Sequence, residues 1–270
     1  MPTSLALAIP AYNEADGIAE FLHELDECFR DWDGDVTFVV VDDRSTDGTL
    51  DVLQRARPTL SAELRLIAME ENSGHGPAVL RAYREAIATG ADVTLQVDGD
   101  GQFDGRDVRR IADDLSHSGL DVAIAKRRDR CDPWFRKILT RLLRLYLQQR
   151  AGLKVMDPNC PLRAYRSPVL EALLTDVPAR ATVPNVYLAV LGDRAGLGTA
   201  ELIVEHRDRR GDTAQGTTWG RKQRTLAIPK RLIVFVWRAF HECRRFIRTL
   251  EGVRPGSLPA QARGAVPDRP

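Results

Sequence analysis

The feature that most constrains this chain is a series of four short apolar runs, each ending in a loop of Asp, Asn and Gly. Leu5-Ala-Leu-Ala-Ile9 runs into Pro10-Ala-Tyr-Asn-Glu14, and Val36-Thr-Phe-Val-Val-Val41 runs into Asp42-Asp43-Arg44-Ser45-Thr46-Asp47-Gly48. Leu64 to Ala68 precedes Asn72-Ser-Gly-His-Gly-Pro77, and Val93 to Val97 precedes Asp98-Gly-Asp-Gly-Gln102. Continuous β-branched and aromatic runs of this length belong to strands covered on both faces, as in a parallel sheet. The segments between them, about Ala15 to Phe29, Thr49 to Ala56 and Ala78 to Thr89, carry helical periodicity. Strand and helix in alternation predict an α/β fold, a doubly wound and mostly parallel sheet flanked by helices. In such sheets ligands bind in the crevice beyond the carboxyl ends of the strands, where all four polar loops converge.

The loops carry the chemistry. Asp98 and Asp100 at the end of a strand would cost several kcal/mol of desolvation together unless a cation neutralises them. Hard oxygen ligands suit Mg²⁺ or Mn²⁺, which bind through one or two carboxylates and substrate phosphates, and Gln102 adds a carbonyl oxygen. A solvated turn is the competing reading of Asp98-Gly99-Asp100 taken alone. Asp42 and Asp43 suit a ribose hydroxyl or a base N–H, while Ser45 and Asp47 suit caps for the next helix. Gly74 and Gly76 allow close backbone approach at a helix N-terminus, which favours pyrophosphate or, read plainly, a turn.

Composition narrows the class. The 270 residues hold one large domain, and 43% hydrophobic with 29% charged residues excludes disorder as a description of the whole. Cys28, Cys131, Cys160 and Cys243 show no C-x-x-C pair, which argues against a zinc site or a disulfide framework and fits a reducing cytoplasm. No signal peptide is read at the N-terminus, and the longest apolar run, Leu232 to Trp237, is far short of a membrane span of about 20 residues.

Net charge is +1, yet residues 219 to 270 carry twelve Lys and Arg against three acids. A basic element on an acidic body suggests an anionic surface or acceptor. Arg231 to Leu250 sets Leu232, Phe235, Val236, Ala239, Phe240, Cys243, Phe246, Ile247 and Leu250 on one stripe and arginines elsewhere. Such a helix lies in a membrane interface, or packs on the body or on a second copy of the chain in a homodimer. The expected organisation is a catalytic domain over 1–218, a basic amphipathic appendage over 219–252 and a disordered tail over 253–270. Helical patterns also cover Trp134 to Arg150 and Pro168 to Leu174, with a further helical run after Tyr187, and Ala200 to Glu205 reads as a strand.

In this order and spacing the motifs resemble the family 2 glycosyltransferases of the GT-A fold, most closely dolichol-phosphate mannose synthases and other polyprenyl-phosphate glycosyltransferases. The resemblance covers about residues 5 to 210 and rests on Ile9 to Glu14, Val41 to Thr49, Asn72 to Gly76, Val97 to Gln102 and, less cleanly, Asp157 to Arg166. It implies an inverting transfer of a hexose from a UDP- or GDP-sugar, with Mg²⁺ or Mn²⁺ as cofactor and no nucleic acid as partner. Pro10, Ala11, Tyr12 and Glu14 would line the nucleobase and ribose pocket. Asp42 or Asp43 would hold the base, with Gly74, Gly76, Asp98 and Gly99 around the donor. Asp98, Asp100 and Gln102 would hold the metal, which stabilises charge on the departing nucleotide.

The acceptor side departs from the family. Its usual loop D-P-T-S-G-F-R-A-Y-R reads Asp157-Pro-Asn-Cys-Pro-Leu-Arg-Ala-Tyr-Arg166 here, although Arg163 and Arg166 stand where its arginines do. The Glu-Asp pair that supplies a base for hydroxyl acceptors is not evident between Asp176 and Asp193. A phosphate oxygen is already ionised and needs no base, which favours a polyprenyl phosphate at the inner face of the cell membrane over a soluble acceptor. Asp100, Asp157, Arg163 and His206 are the candidate catalytic residues. Arg163, Arg166, Arg209 and Arg210, with Arg207 beside them, are candidate clamps on the acceptor phosphate. A nucleotidyltransferase would carry a Gly-rich loop with Arg and Lys after the first strand, where Pro10 to Glu14 stand instead.

Overall fold

The computed structural model describes residues 3–128, 134–210 and 230–250. A seven-stranded sheet in the order β3-β2-β1-β4-β6-β5-β7 forms its centre. Strands β1 (Leu5–Ala11), β2 (Val36–Asp42), β3 (Glu63–Ala68) and β4 (Val93–Gln96) are the four apolar runs, all parallel. Helices α1 (Ile18–Phe29), α2 (Thr49–Ala56) and α3 (His75–Ile87) connect them. The remaining elements are α4 (Gly105–His117), β5 (Val122–Arg127), α5 (Trp134–Ala151), β6 (Arg163–Arg166), α6 (Ser167–Leu174), α7 (Pro184–Ala195), β7 (Thr199–Val204) and α8 (Lys230–Leu250).

The expected α/β sheet is therefore present, and its central strands are apolar throughout because both faces are covered: every residue of β1 is buried. Three elements have no counterpart in the sequence reading, namely α4, β5 and β6. Among them β6 runs antiparallel between β4 and β5, pairing Gln96 with Arg163 and Val93 with Arg166. Its four residues, Arg at both ends, carry no strand pattern of their own and are held by their two neighbours.

The loops at the carboxyl ends of β1 and β2 are tied to each other. Asn13 N donates to Ser45 Oγ at 2.9 Å, Ala15 N to Asp47 Oδ2 at 3.0 Å, and Thr46 N to Asn13 Oδ1 at 2.8 Å. Asn13 and Arg44 both adopt positive φ to allow it. Ser45 does not cap α2. Its N-cap position is Gly48, and Asp47 accepts from Thr49 N at 3.0 Å as well as from Ala15.

Helix α8 packs onto the same core. Ala239, Cys243, Phe246, Ile247 and Leu250 are buried, Phe246 stacks on Tyr187 of α7 at 4.5 Å, and Phe240 on Tyr146 of α5 at 5.1 Å. The Glu242 carboxylate accepts from Thr182 N at 2.9 Å and from Thr182 Oγ1 at 2.8 Å, fixing α8 to the 178–183 turn. The assignment of 253–270 as a disordered tail, and 219–229 of the appendage, lie outside the described residues.

Gly76, in the first turn of α3, is where the 178–183 turn meets that helix. A Cβ there would overlap the Ala181 carbonyl oxygen, so the close approach that Gly76 permits is to protein backbone. Gly76→Ala is expected to destabilise the fold by about 1–3 kcal/mol, the usual cost of overpacking, read as a lower urea midpoint.

Candidate active site

The carboxyl ends of β1, β2 and β4 form the crevice. The two acids after β2 divide their roles. Asp43 accepts from Ser73 N and Gly74 N, both at 2.8 Å, so its carboxylate holds the loop that starts α3. Burial pushes it up from the usual carboxylate range, with neighbouring Asp42 adding to the rise against those two bonds. Asp42 accepts from Ser45 N at 3.2 Å through Oδ2, while its Oδ1 is buried without a hydrogen-bond partner. Of the pair, Asp42 has the acceptor left for a ligand N–H. Pro10 and Ala11 are buried strand residues, Tyr12 is half-buried beyond them, and Gly74, with φ +88, borders open space.

Asp98 and Asp100 follow β4 as expected, with Gly99 between them close against Ile18 and the Pro10 carbonyl. Burial and then the charge of Asp98 push Asp100 from its ordinary 3.8 up to about 6. Asp100 Oδ1 accepts from Gln102 N at 3.1 Å, and His75 Nε2 stands 3.9 Å from Asp98 Oδ1. Glu14 completes an acidic crowd. Burial raises it from 4.5 to about 8, outweighing the Arg209 guanidinium beside it, and Asp100 and Asp98 add to the rise.

The segment after β7 closes over these acids. Arg207 N donates to Gln102 O at 2.9 Å and Arg210 N to Asp100 O at 3.0 Å, which pins the segment's backbone to the Asp98–Gln102 loop. The Gln102 side chain joins this seam, its Nε2 donating to Arg207 O at 3.3 Å. Arg209 pairs with Glu14, Arg210 with Glu24, and Arg207 with Glu24 and Asp104. Gly101 at φ +66 makes room for the Arg210 side chain. The ring of His206 meets Phe103 edge-on at 5.4 Å.

Three expectations for the acceptor side need correction or restatement. Arg163 is fully buried, donating to Cys160 O at 2.8 Å, Pro158 O at 2.9 Å, and Tyr165 Oη and Asn185 O at 3.1 Å. Its guanidinium is consumed in shaping the 157–162 turn from below, so it is a brace and not a phosphate clamp. Arg166 lies at the opposite end of β6, paired with Val93, and donates to Leu115 O and Ser118 O at 2.8 Å, away from the crevice. Asp157 is held by Arg127 through two bonds of 2.8 and 3.0 Å with both side chains buried, an arrangement that stabilises the turn. Of the four arginines expected as clamps, Arg209 and Arg210 are the two that the fold brings to the crevice, Arg209 onto Glu14 and Arg210 onto Glu24.

Several residues of the site escaped the sequence reading. Glu24, on α1, receives two arginines of the closing segment, and Gln96, Tyr83 and Asn185 form a buried polar cluster against Asp98. A signal for the last existed: Gln96 is an amide at the end of a fully buried strand, and such a group is kept only with partners.

The donor set fits a divalent cation. Asp98 and Asp100 are hard oxygen ligands whose mutual repulsion and burial are relieved by positive charge. Among the described residues no three His, Cys, Asp or Glu are grouped to hold a metal alone. Two carboxylates completed by a diphosphate are the manner in which such ions commonly bind.

Comparison with known proteins agrees with this geometry. Residues 6–174 match the sequence model of Glycosyl transferase family 2, more than half of the chain, and the chain belongs to that family. The undecaprenyl-phosphate 4-deoxy-4-formamido-L-arabinose transferase of Pseudomonas syringae pv. syringae (strain B728a) is 28% identical over 205 residues, covering 76% of this chain and 58% of that protein. The enzyme of that name from Edwardsiella ictaluri (strain 93-146) is also 28% identical, over 76% of this chain and 60% of its own. The chain thus spans about three fifths of the length of these curated relatives. Glucosyl-3-phosphoglycerate synthase from Mycobacterium tuberculosis, in complex with Mn²⁺, UDP and glucosyl-3-phosphoglycerate, superposes with a TM-score of 0.64 at 20% identity, over 92% of this chain and 80% of that one. Its complex with Mn²⁺, UDP-glucose and glycerol 3-phosphate gives 0.63 at 19% over the same shares. The shared architecture is the GT-A fold.

The acidic crowd dictates a pH dependence. Glu14 and Asp100 hold their protons more tightly folded than unfolded, so each stabilises the fold below its ordinary pKa and loses that contribution as pH rises through the folded value. Glu14→Gln is therefore expected to gain stability relative to the wild type between pH 4.5 and 8, measured as urea midpoints across that range. Millimolar Mn²⁺ should narrow the gap at the alkaline end.

Proposed function

We propose that this chain transfers a sugar from a nucleoside diphosphate sugar to a polyprenyl phosphate. The observation that carries the reading is the Asp98–Asp100 pair at the carboxyl end of β4, with the Asp100 carboxyl pushed up by burial and by the charge of Asp98, facing an arginine-bearing segment across the crevice. The relatives, undecaprenyl-phosphate 4-deoxy-4-formamido-L-arabinose transferases, support the acceptor class.

Each part of the crevice has a chemical task in this reading. Asp42 Oδ1, with no partner of its own, accepts from a base N–H, and Tyr12 lies beside the same pocket. Asp98 and Asp100 hold Mg²⁺ or Mn²⁺, which when bound offsets the charge gathered by the leaving nucleoside diphosphate. Arg209, whose charge acts on both Glu14 and Asp100, meets the acceptor phosphate in this reading. The acceptor oxygen arrives ionised, so the chain need supply only alignment and charge, with the attack opposite the leaving group giving inversion.

The outer surface supports an acceptor that lives in a bilayer. Among the described residues the exposed large hydrophobics are Leu142 and Leu145 on α5, Val234, Trp237 and Phe240 on α8, and Ile203 on β7. Five of the six thus lie on two touching helices. Arg141, Arg238, Arg244, Arg245 and Arg248 are exposed on the same pair. Apolar side chains among arginines suit docking on an anionic membrane surface, and no helix of the described residues is long and apolar enough to cross one.

Nucleotide release from a panel of UDP- and GDP-sugars with Mn²⁺ or Mg²⁺, with and without a short-chain polyprenyl phosphate, tests the activity. Release that requires the lipid phosphate, and falls by about 10²–10³ in Asp100→Asn, is the expected result. Release that ignores the lipid sinks the acceptor class, and undiminished Asp100→Asn turnover sinks the metal role. For the surface, co-sedimentation with phosphatidylglycerol vesicles should drop in Trp237→Glu and in high salt, while neutral phosphatidylcholine vesicles retain little protein.

A further inference from the structure

The amide of Gln96 occupies a place that an apolar residue would fill at no cost. It is fully buried in β4, one residue before the strand gives way to the Asp98 loop. Its Nε2 donates to Asp98 Oδ1 at 3.1 Å. Its Oε1 accepts from Asn185 Nδ2 at 2.8 Å and lies 2.9 Å from Tyr83 Oη, which also lies 3.0 Å from Asn185 Oδ1. Tyr83 belongs to α3 and Asn185 to the first turn of α7, so three elements converge on one side chain. Burial keeps the Tyr83 hydroxyl protonated, hence a donor.

The pattern has a direction. If the Gln96 amide turned over, its oxygen would face the Asp98 carboxylate and its nitrogen would face the Asn185 amide nitrogen. One contact would set acceptor against acceptor and the other donor against donor. An ionised Asp98 therefore fixes Gln96, and the two donors from α3 and α7 fix it from behind. Asn185 is itself anchored, its carbonyl accepting from the buried Arg163 at 3.1 Å. The chain Arg163, Asn185, Gln96, Asp98 joins the turn that replaces the family's usual acceptor-side sequence to the carboxylate at the crevice.

We propose that Gln96 is the positioning residue for Asp98: its amide N–H holds one carboxylate oxygen inward, leaving Oδ2 as the oxygen presented to the divalent cation. Tyr83 and Asn185 serve that orientation by holding Gln96. This rests on the reading of Asp98 and Asp100 as the cation site. Groups that orient a ligand carboxylate in this way commonly govern metal affinity by 10–100-fold.

The test is Mn²⁺ binding alone, followed by the electron paramagnetic resonance signal of free Mn²⁺ in titrations of the full chain. Four proteins are compared: wild type, Gln96→Met, Tyr83→Phe with Asn185→Ala, and Asp98→Asn. Gln96→Met keeps the volume and removes the amide, and is expected to weaken Mn²⁺ by about 10–100-fold while circular dichroism shows the native fold. The double variant leaves the amide in place but free to turn. It is expected to weaken binding several-fold, and it decides the matter if Gln96→Met does not fold. Affinity within twofold of the wild type in a folded variant, with Asp98→Asn clearly impaired, overturns the positioning role alone. No Mn²⁺ binding by the wild type, or none lost in Asp98→Asn, overturns the cation site beneath it.

Discussion

Three carboxylates crowded at the ends of β1 and β4 set the terms for the rest of this structure. Burial raises the proton affinity of Glu14 and Asp100, and the charge of Asp98 adds to the rise at both. A fold cannot hold such a group charged without positive charge nearby. The segment after β7 brings part of it, with Arg209 against Glu14 and its neighbours on Glu24 and Asp104. Its backbone is stitched to the same loop through the carbonyls of Asp100 and Gln102. The far end of the sheet thereby depends on the acids of the near end. What Arg209 leaves uncompensated is at Asp100, where the proposed divalent cation and its diphosphate would bring the remaining charge.

The fold was legible wherever burial on both faces of the sheet dictated composition. β1 is an unbroken apolar run and β2 nearly one, the helices between the strands are periodic stretches, and both follow from packing against covered faces. β6 was not legible, because Arg163 to Arg166 is a strand only by virtue of β4 and β5 beside it. Strand formation imposed by neighbours leaves little mark on the residues themselves. The same holds for the loops after β1 and β2, where Ser45 looks like a cap but binds the opposite loop, and Asp47 divides its carboxylate between that loop and the first residue of α2.

At the site, residue type was legible and destination was not. An arginine near a phosphate-binding crevice reads alike whether its guanidinium faces solvent, substrate or backbone. Arg163 and Arg209 are a pair in point. Arg163 ends in four oxygens of its own chain, three of them backbone carbonyls, whereas Arg209 reaches the acids of the crevice. What separates them is register: the antiparallel pairing places Arg163 opposite Gln96, beneath the 157–162 turn. Asp42 and Asp43 show the same limit at adjacent positions. Successive strand-end residues point to opposite sides, so one carboxylate braces a loop through two backbone N–H groups and the other keeps an oxygen without a partner.

The C-terminal helix divides its apolar stripe, and one half of it packs on the body. The half from Ala239 to Leu250 is spent on the core, closing over Tyr187 and gripping the 178–183 turn through Glu242. The other half, with Val234 and Trp237, faces outward among arginines. A helix fixed at one end and apolar at the other transmits position: whatever surface Trp237 meets is held at a set distance from Thr182, and so from the Gly76 turn of α3 at the crevice. For an enzyme whose acceptor phosphate projects only slightly from a bilayer, rigid registration of crevice against membrane is worth more than membrane affinity itself. Under the proposed function, packing on the body and docking on a membrane are two requirements of one helix rather than rival explanations of it.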